Sequence, residues 1–183
     1  GAAADIIGRD TALTISLLKM VNKMTLSSGI TSIRHAAAML GQLELKKWIN
    51  TAVTNVLYSD KPNELTRLSL LRAKFAENLA ASFRLEEKTE ELFLMGLFSV
   101  LDVILEKPME EAMEMVMVSG DIREALIYNS GTLAPVLELI VNYESANWQE
   151  VSRQMILEDI DLDTLYNAYL QTLEWYRKLT LGR

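Results

Sequence analysis

The chain has 183 residues, is 50 % apolar and 23 % charged, carries a net charge of −7 and contains no cysteine. This size and mix suit a soluble globular protein whose core needs no staple; the missing thiols exclude disulfides, thiolate zinc sites and Cys nucleophiles, and fit a reducing, cytoplasmic setting. Its cations are scattered, as in ELKKWIN and EWYRK, so neither nucleic acid nor an anionic membrane surface is an expected partner.

Helical periodicity runs through nearly the whole chain, and strand signals are weak: there is no sustained alternation and no Asn-Gly or Asp-Gly hairpin turn. The first helix is expected from about Thr11 to Met24, with Leu13, Leu17, Leu18 and Val21 on one stripe. After the loop TLSSGIT, Ser32 precedes a short helix that Gly41 closes. The next runs from about Leu43 to Tyr58 and stops before SDKPN. Asn63 is the expected N-cap of a long helix reaching Phe83, with Leu65, Leu68, Phe75, Leu79 and Phe83 on its apolar face.

A helix from about Lys88 to Leu105 then contains the run LFLMGLFSVLD, which ends on one acid, Asp102. Pro108 suits the first turn of the following helix, EEAMEMVMV, which SGD ends. IREALIYN and LAPVLELIVNYE are two further short helices, and another carries Trp148, Val151 and Met155. The last runs from about Leu162 to Leu179, with Asp159, Asp161 and Asp163 at its start and Arg177 and Lys178 at its end, the order that the helix dipole favours. The reading is an all-α fold, a multi-helix bundle of about ten helices, with two lobes that could meet near SDKPN. No stretch is long and apolar enough to span a membrane, and GAAADIIGRD lacks the basic-then-apolar order of a signal peptide.

Residues that could carry chemistry are sparse. The only histidine, His35, has Thr31, Ser32, Ala38 and Met39 at helical spacing, none of them an imidazole or a carboxylate, so it reads as structural rather than as a metal ligand. Glu110 and Glu114 are four residues apart, but Glu111 adjoins them and Met109, Met113 and Met117 share the helix. An amphipathic helix with a solvated acidic face accounts for all of these. No serine lies in a G-x-S-x-G elbow and no glycine-rich phosphate loop is present. Most of the nine methionines and Trp48, Trp148 and Trp175 sit at core spacing; a partner interface is the second reading for them.

Three segments in order carry a family resemblance. DTALTISLLKMVNK and ITSIRHAAAMLGQLELKKWI resemble the N-terminal part of an HDOD domain, although Thr11 and Lys23 stand where many relatives have Pro and Ser. LLRAKFAENLA with ELFLMGLFSVLD resembles the paired helices that carry the metal site in HD-type phosphohydrolases. VILEKPMEEAM and YLQTLEWYRKL are similar to the version that follows an EAL domain in bacterial signalling proteins. Catalytic relatives have Gly-Leu-Leu-His-Asp-Ile-Gly in the middle helix. Aligned on Gly96, the His position is Ser99, the Asp position is Val100, and Asp102 falls on the final Gly. Valine cannot coordinate a cation and a neutral serine hydroxyl is a weak ligand.

The resemblance therefore implies a degenerate HD-like domain spanning residues 1–183, the C-terminal part of a longer EAL–HDOD protein. No catalytic, cofactor or metal residues are expected, and the chain itself is expected not to be an enzyme, whereas its full-length parent could be a cyclic di-GMP phosphodiesterase. The implied function is signal transduction through contacts with an EAL domain of the same chain or with another signalling protein, with self-association as an option. Two rival readings are a small-ligand sensor and a divergent metal-dependent phosphohydrolase built on Asp102, Glu106 or Glu110. In the first account Asp102 marks the helix turning toward solvent.

Overall fold

The computed structural model describes residues 64–114 and 118–181. The expected helices before Asn63, together with the SDKPN loop, His35 and Trp48, lie outside those residues. Among the described residues the fold is all-helical. The count of about ten helices includes segments outside them.

Helix α1 (Glu64–Asn78) is built from strong helix formers and starts with an acid in its first turn. Leu70, Ala73, Phe75 and Ala76 put its inner face in the core, and Leu79, just after its end, is buried with them. The helix expected to reach Phe83 ends earlier. After Asn78 the chain tightens into a single 3-10 turn, Ala81–Phe83, and Arg84 adopts a left-handed conformation with φ 59°. The Leu85 N–H donates back to the Ala80 carbonyl at 2.8 Å, which closes the end as a left-handed cap does. The position of the stop is also fixed from outside the helix, because Asn78 Nδ2 donates to Thr172 Oγ1 at 3.1 Å and to the Ala168 carbonyl at 3.4 Å on the last helix.

Helix α2 (Thr89–Phe98) is apolar all round, and every residue from Glu91 to Phe98 is buried, as expected for a helix in the middle of a bundle. It packs most closely on α1. A Cβ added to Gly96 would lie 2.5 Å from the Arg72 carbonyl carbon and oxygen and 2.6 Å from the Ala73 nitrogen. Only a residue without a side chain lets the two backbones approach this closely. Ser69 Oγ, itself buried, donates to the Leu97 carbonyl across the same contact at 2.7 Å. Buried Glu91 is matched by Lys88 at 3.6 Å, and Lys88 also pairs with Asp121 on α5. The Asp121 carboxylate, supported by Glu91, holds the Lys88 ammonium above its usual range despite partial burial.

The single helix expected over Lys88–Leu105 is two helices. Ser99 and Val100 form a turn, and α3 (Leu101–Leu105) follows. Helix α4 (Met109–Glu114) begins directly after Pro108, and Ala112 donates to the Pro108 carbonyl at 3.0 Å. Helix α5 (Gly120–Tyr128) is capped by Ser119, whose Oγ accepts from the Ile122 N–H. Helix α6 (Ala134–Glu144), α7 (Trp148–Glu158) and α8 (Leu162–Leu181) complete the described fold. Gln154 on α7 is buried and satisfied on both sides: its Nε2 donates to the Pro135 carbonyl and its Oε1 accepts from Asn142. The rings of Phe75, Tyr143, Tyr169 and Trp148 meet at centroid distances of 4.8–5.6 Å and join α1, α6, α7 and α8. Trp148 remains largely exposed, and Trp175 packs edge-on against Phe93 with the Lys74 ammonium over its ring.

Candidate functional site

The turn at Ser99 and Val100 is where the sequence aligns with a metal-binding pair. Ser99 is the C-cap of α2, and its Oγ donates to the Gly96 carbonyl at 2.6 Å. Its remaining capacity is taken by Arg72, whose Nη1 donates to the same hydroxyl oxygen at 3.1 Å. Arg72 is in turn held by Glu144 at the end of α6: Nη2 donates to Oε2 at 2.9 Å and Nε to Oε1 at 3.0 Å, a two-pronged fork-to-carboxylate contact. The guanidinium side chain is 15 % exposed. Val100 is buried in the core.

These residues do not fit a divalent cation. The Ser99 hydroxyl already donates and accepts, a fixed guanidinium charge stands beside it, and the valine offers no donor atom. The arrangement serves instead as a three-way polar junction that ties α1, the α2–α3 turn and α6 together. Arg72 was accessible to sequence reasoning, since it interrupts the stripe Leu65, Leu68, Phe75, Leu79, and a cation inside an apolar stripe needs a partner. Its partner Glu144, 72 positions along the chain, left no local signal.

The other candidate residues lie apart. Asp102 sits half-buried in the first turn of α3, and its backbone carbonyl accepts from the Lys107 N–H at 3.1 Å. Glu106 follows α3 in a left-handed conformation and is exposed, and Glu110 and Glu114 are exposed on α4. Met113 is fully buried. Met117 lies outside the described residues. Among the described residues no three His, Asp or Glu side chains come together as a metal site would require, so the carboxylates suggested for a divergent phosphohydrolase do not converge.

The HDOD domain family model matches residues 2–125. The chain belongs to the HDOD domain family. The match takes in α1 to α4 and ends inside α5, so the HDOD match stops short of α6, which supplies Glu144 to the Ser99 junction. Two curated relatives match well beyond residue 125. Cyclic di-GMP phosphodiesterase CdgJ of Vibrio cholerae serotype O1 is 34 % identical over 172 residues, covering 93 % of this chain and 40 % of that protein. Uncharacterized protein YuxH of Bacillus subtilis is 32 % identical over 181 residues, covering 96 % of this chain and 43 % of that protein. The chain thus spans about two fifths of the length of the curated relatives it matches. No solved structure matches it.

The relative from Vibrio cholerae corrects one expectation. Reading the chain as a non-enzyme rested on Ser99 and Val100, but a match over 93 % of the chain to a protein named a phosphodiesterase points to an enzyme. The physical reason is that losing a His-Asp pair removes one metal chemistry at one place. It does not decide what the protein that carries the domain catalyses. No helix among the described residues is long and apolar enough to cross a membrane.

Proposed function

We propose that this chain belongs to a cyclic di-GMP phosphodiesterase, and that its HDOD helices act on the hydrolysis of the cyclic dinucleotide through contacts with an EAL domain of the same protein. The observation that carries the reading is the 34 % identity to Cyclic di-GMP phosphodiesterase CdgJ over nearly the whole chain. The EAL partner rests on the resemblance of VILEKPMEEAM and YLQTLEWYRKL to domains of that arrangement, and the remaining three fifths of the relative's length leaves room for one. In energetic terms the domain would favour one arrangement of its neighbour over another, and the difference would be read as a change in rate or affinity.

The test compares cyclic di-GMP hydrolysis by the longer protein with and without residues 1–183. Hydrolysis whose kcat, KM or subunit number shifts on removal is the expected result. A longer protein that does not hydrolyse the dinucleotide, or one in which none of the three quantities moves, would refute the proposal.

A further inference from the structure

No residue at the break between α2 and α3 forces a helix to stop. The residues there are Leu97, Phe98, Ser99, Val100 and Leu101, with no proline, and the nearest glycine, Gly96, lies inside α2. In an unbroken helix the Gly96 and Leu97 carbonyls would accept from the Val100 and Leu101 N–H groups, four positions on. Here hydroxyls donate to both. Ser99 Oγ donates to the Gly96 carbonyl at 2.6 Å, and Ser69 Oγ on α1 donates to the Leu97 carbonyl at 2.7 Å. A hydroxyl that occupies a helix carbonyl offers the backbone an alternative to continuing the helix.

Arg72 sets the direction of the Ser99 hydroxyl. Its Nη1 donates to Oγ at 3.1 Å, which leaves the hydroxyl proton for the Gly96 carbonyl. Glu144 in turn sets the place of Arg72, through the two-pronged contact from the end of α6. Of these two side chains Glu144 is the more open to water, 30 % exposed against 15 % for Arg72. A cation brought to its carboxylate would therefore compete with the guanidinium for it. We propose that the Ser99–Val100 turn is a hinge latched by Glu144. While the carboxylate holds Arg72, α2 and α3 stay separate. When it is drawn away, the Gly96 carbonyl passes from the Ser99 hydroxyl to the Val100 N–H, and α2 runs on into α3. The end of α6 then controls the direction in which α3 leaves the core, as a two-state element biased from one side does. The inference does not depend on the phosphodiesterase reading.

The test is amide hydrogen exchange at Val100, read by NMR on the 183-residue chain, with circular dichroism to confirm that each variant is folded. The expected result is that Ser99→Ala slows exchange at Val100 at least about 10-fold, because the Gly96 carbonyl becomes free to pair with it. Ser99→Thr keeps the hydroxyl and stays close to the parent chain. Glu144→Gln, a change at the surface that leaves Ser99 in place, slows the same amide by about 3-fold. Glu138→Gln cuts a separate ion pair on α6, with Arg153 at 3.2 Å, and leaves Val100 unchanged. Exchange at Val100 that does not slow in Ser99→Ala would overturn the proposal, as would Ser99→Thr slowing it equally. So would Glu144→Gln without effect, or Glu138→Gln with the same effect as Glu144→Gln.

Discussion

The inner face of α2 and the outer face of α8 are both apolar helix surfaces, yet they do opposite things. Around Gly96 the chain packs backbone against backbone, and the polar atoms nearby, Ser69 Oγ and Ser99 Oγ, have buried or half-buried partners within the same contact. Along α8 the apolar side chains stand in water between an acidic start and a basic end. The difference teaches that apolarity alone does not locate the core. What separates the two faces is whether a neighbouring helix of the same bundle reaches them.

The contrast is broken most strongly by adding or removing a few atoms at one place and then the other. Gly96→Ala puts a methyl into the Arg72 carbonyl and should cost about 3 kcal/mol of stability. Leu162→Ala on the exposed face of α8 should stay within about 0.5 kcal/mol. Urea midpoints of the two variants measure this directly, and equal losses would mean that the two surfaces are not distinguished by packing.

A smaller effect is expected at the Arg72 junction. Glu144→Ala leaves a half-buried guanidinium without its carboxylate, and a loss of about 1–2 kcal/mol follows, discounted from the fully buried case because Glu144 is partly solvated. In a double-mutant cycle with Arg72→Met, the second substitution should cost much less once the first is made. Additive losses would show that the fork does not couple α1 to α6.

The smallest effect lies at the start of α8. The Thr164 side chain and, second to it, the Thr164 N–H, which donates to Asp161 Oδ1 at 2.7 Å, hold the Asp161 carboxyl below its ordinary range. A carboxyl lowered in the folded state contributes stability above its unfolded pKa and loses that contribution as pH falls through the folded value. Asp161→Ala should therefore lower the Tm slightly at pH 7, and the difference from the parent chain should shrink in strong acid. Asp161→Asn, which still caps but cannot titrate, should keep most of the Tm at neutral pH. A difference constant from neutral to acid pH would remove the ionised cap from the account.

Local chemistry made much of this fold legible. Pro108 before α4 and the acid-to-base order of α8 each act within a turn or two of their own position, so the residues alone announced those helix starts, whereas SGD, read as closing the preceding helix, opens α5 with Ser119 as its cap. Two boundaries were missed because their causes are distant. The run from Lys88 to Leu105 reads as one helix, but it breaks at Ser99, whose hydroxyl takes the Gly96 carbonyl and is held by Arg72 from α1. The long helix expected to reach Phe83 stops after Asn78, whose amide is claimed by α8. Asp102 ends the apolar run half-buried, in the first turn of a new helix rather than where an old one reaches water.

By itself the sequence determined the all-helical class, and its motifs carried the resemblance to the HDOD family that the family match bears out. Each of these follows from residue type and short-range spacing. Only the tertiary structure decided that Ser99 would be held by Arg72, itself forked to Glu144, from two other helices, and which apolar stripe would be left facing water. Those outcomes depend on which distant segments come within a few ångströms of each other, and spacing along the chain carries no record of that distance.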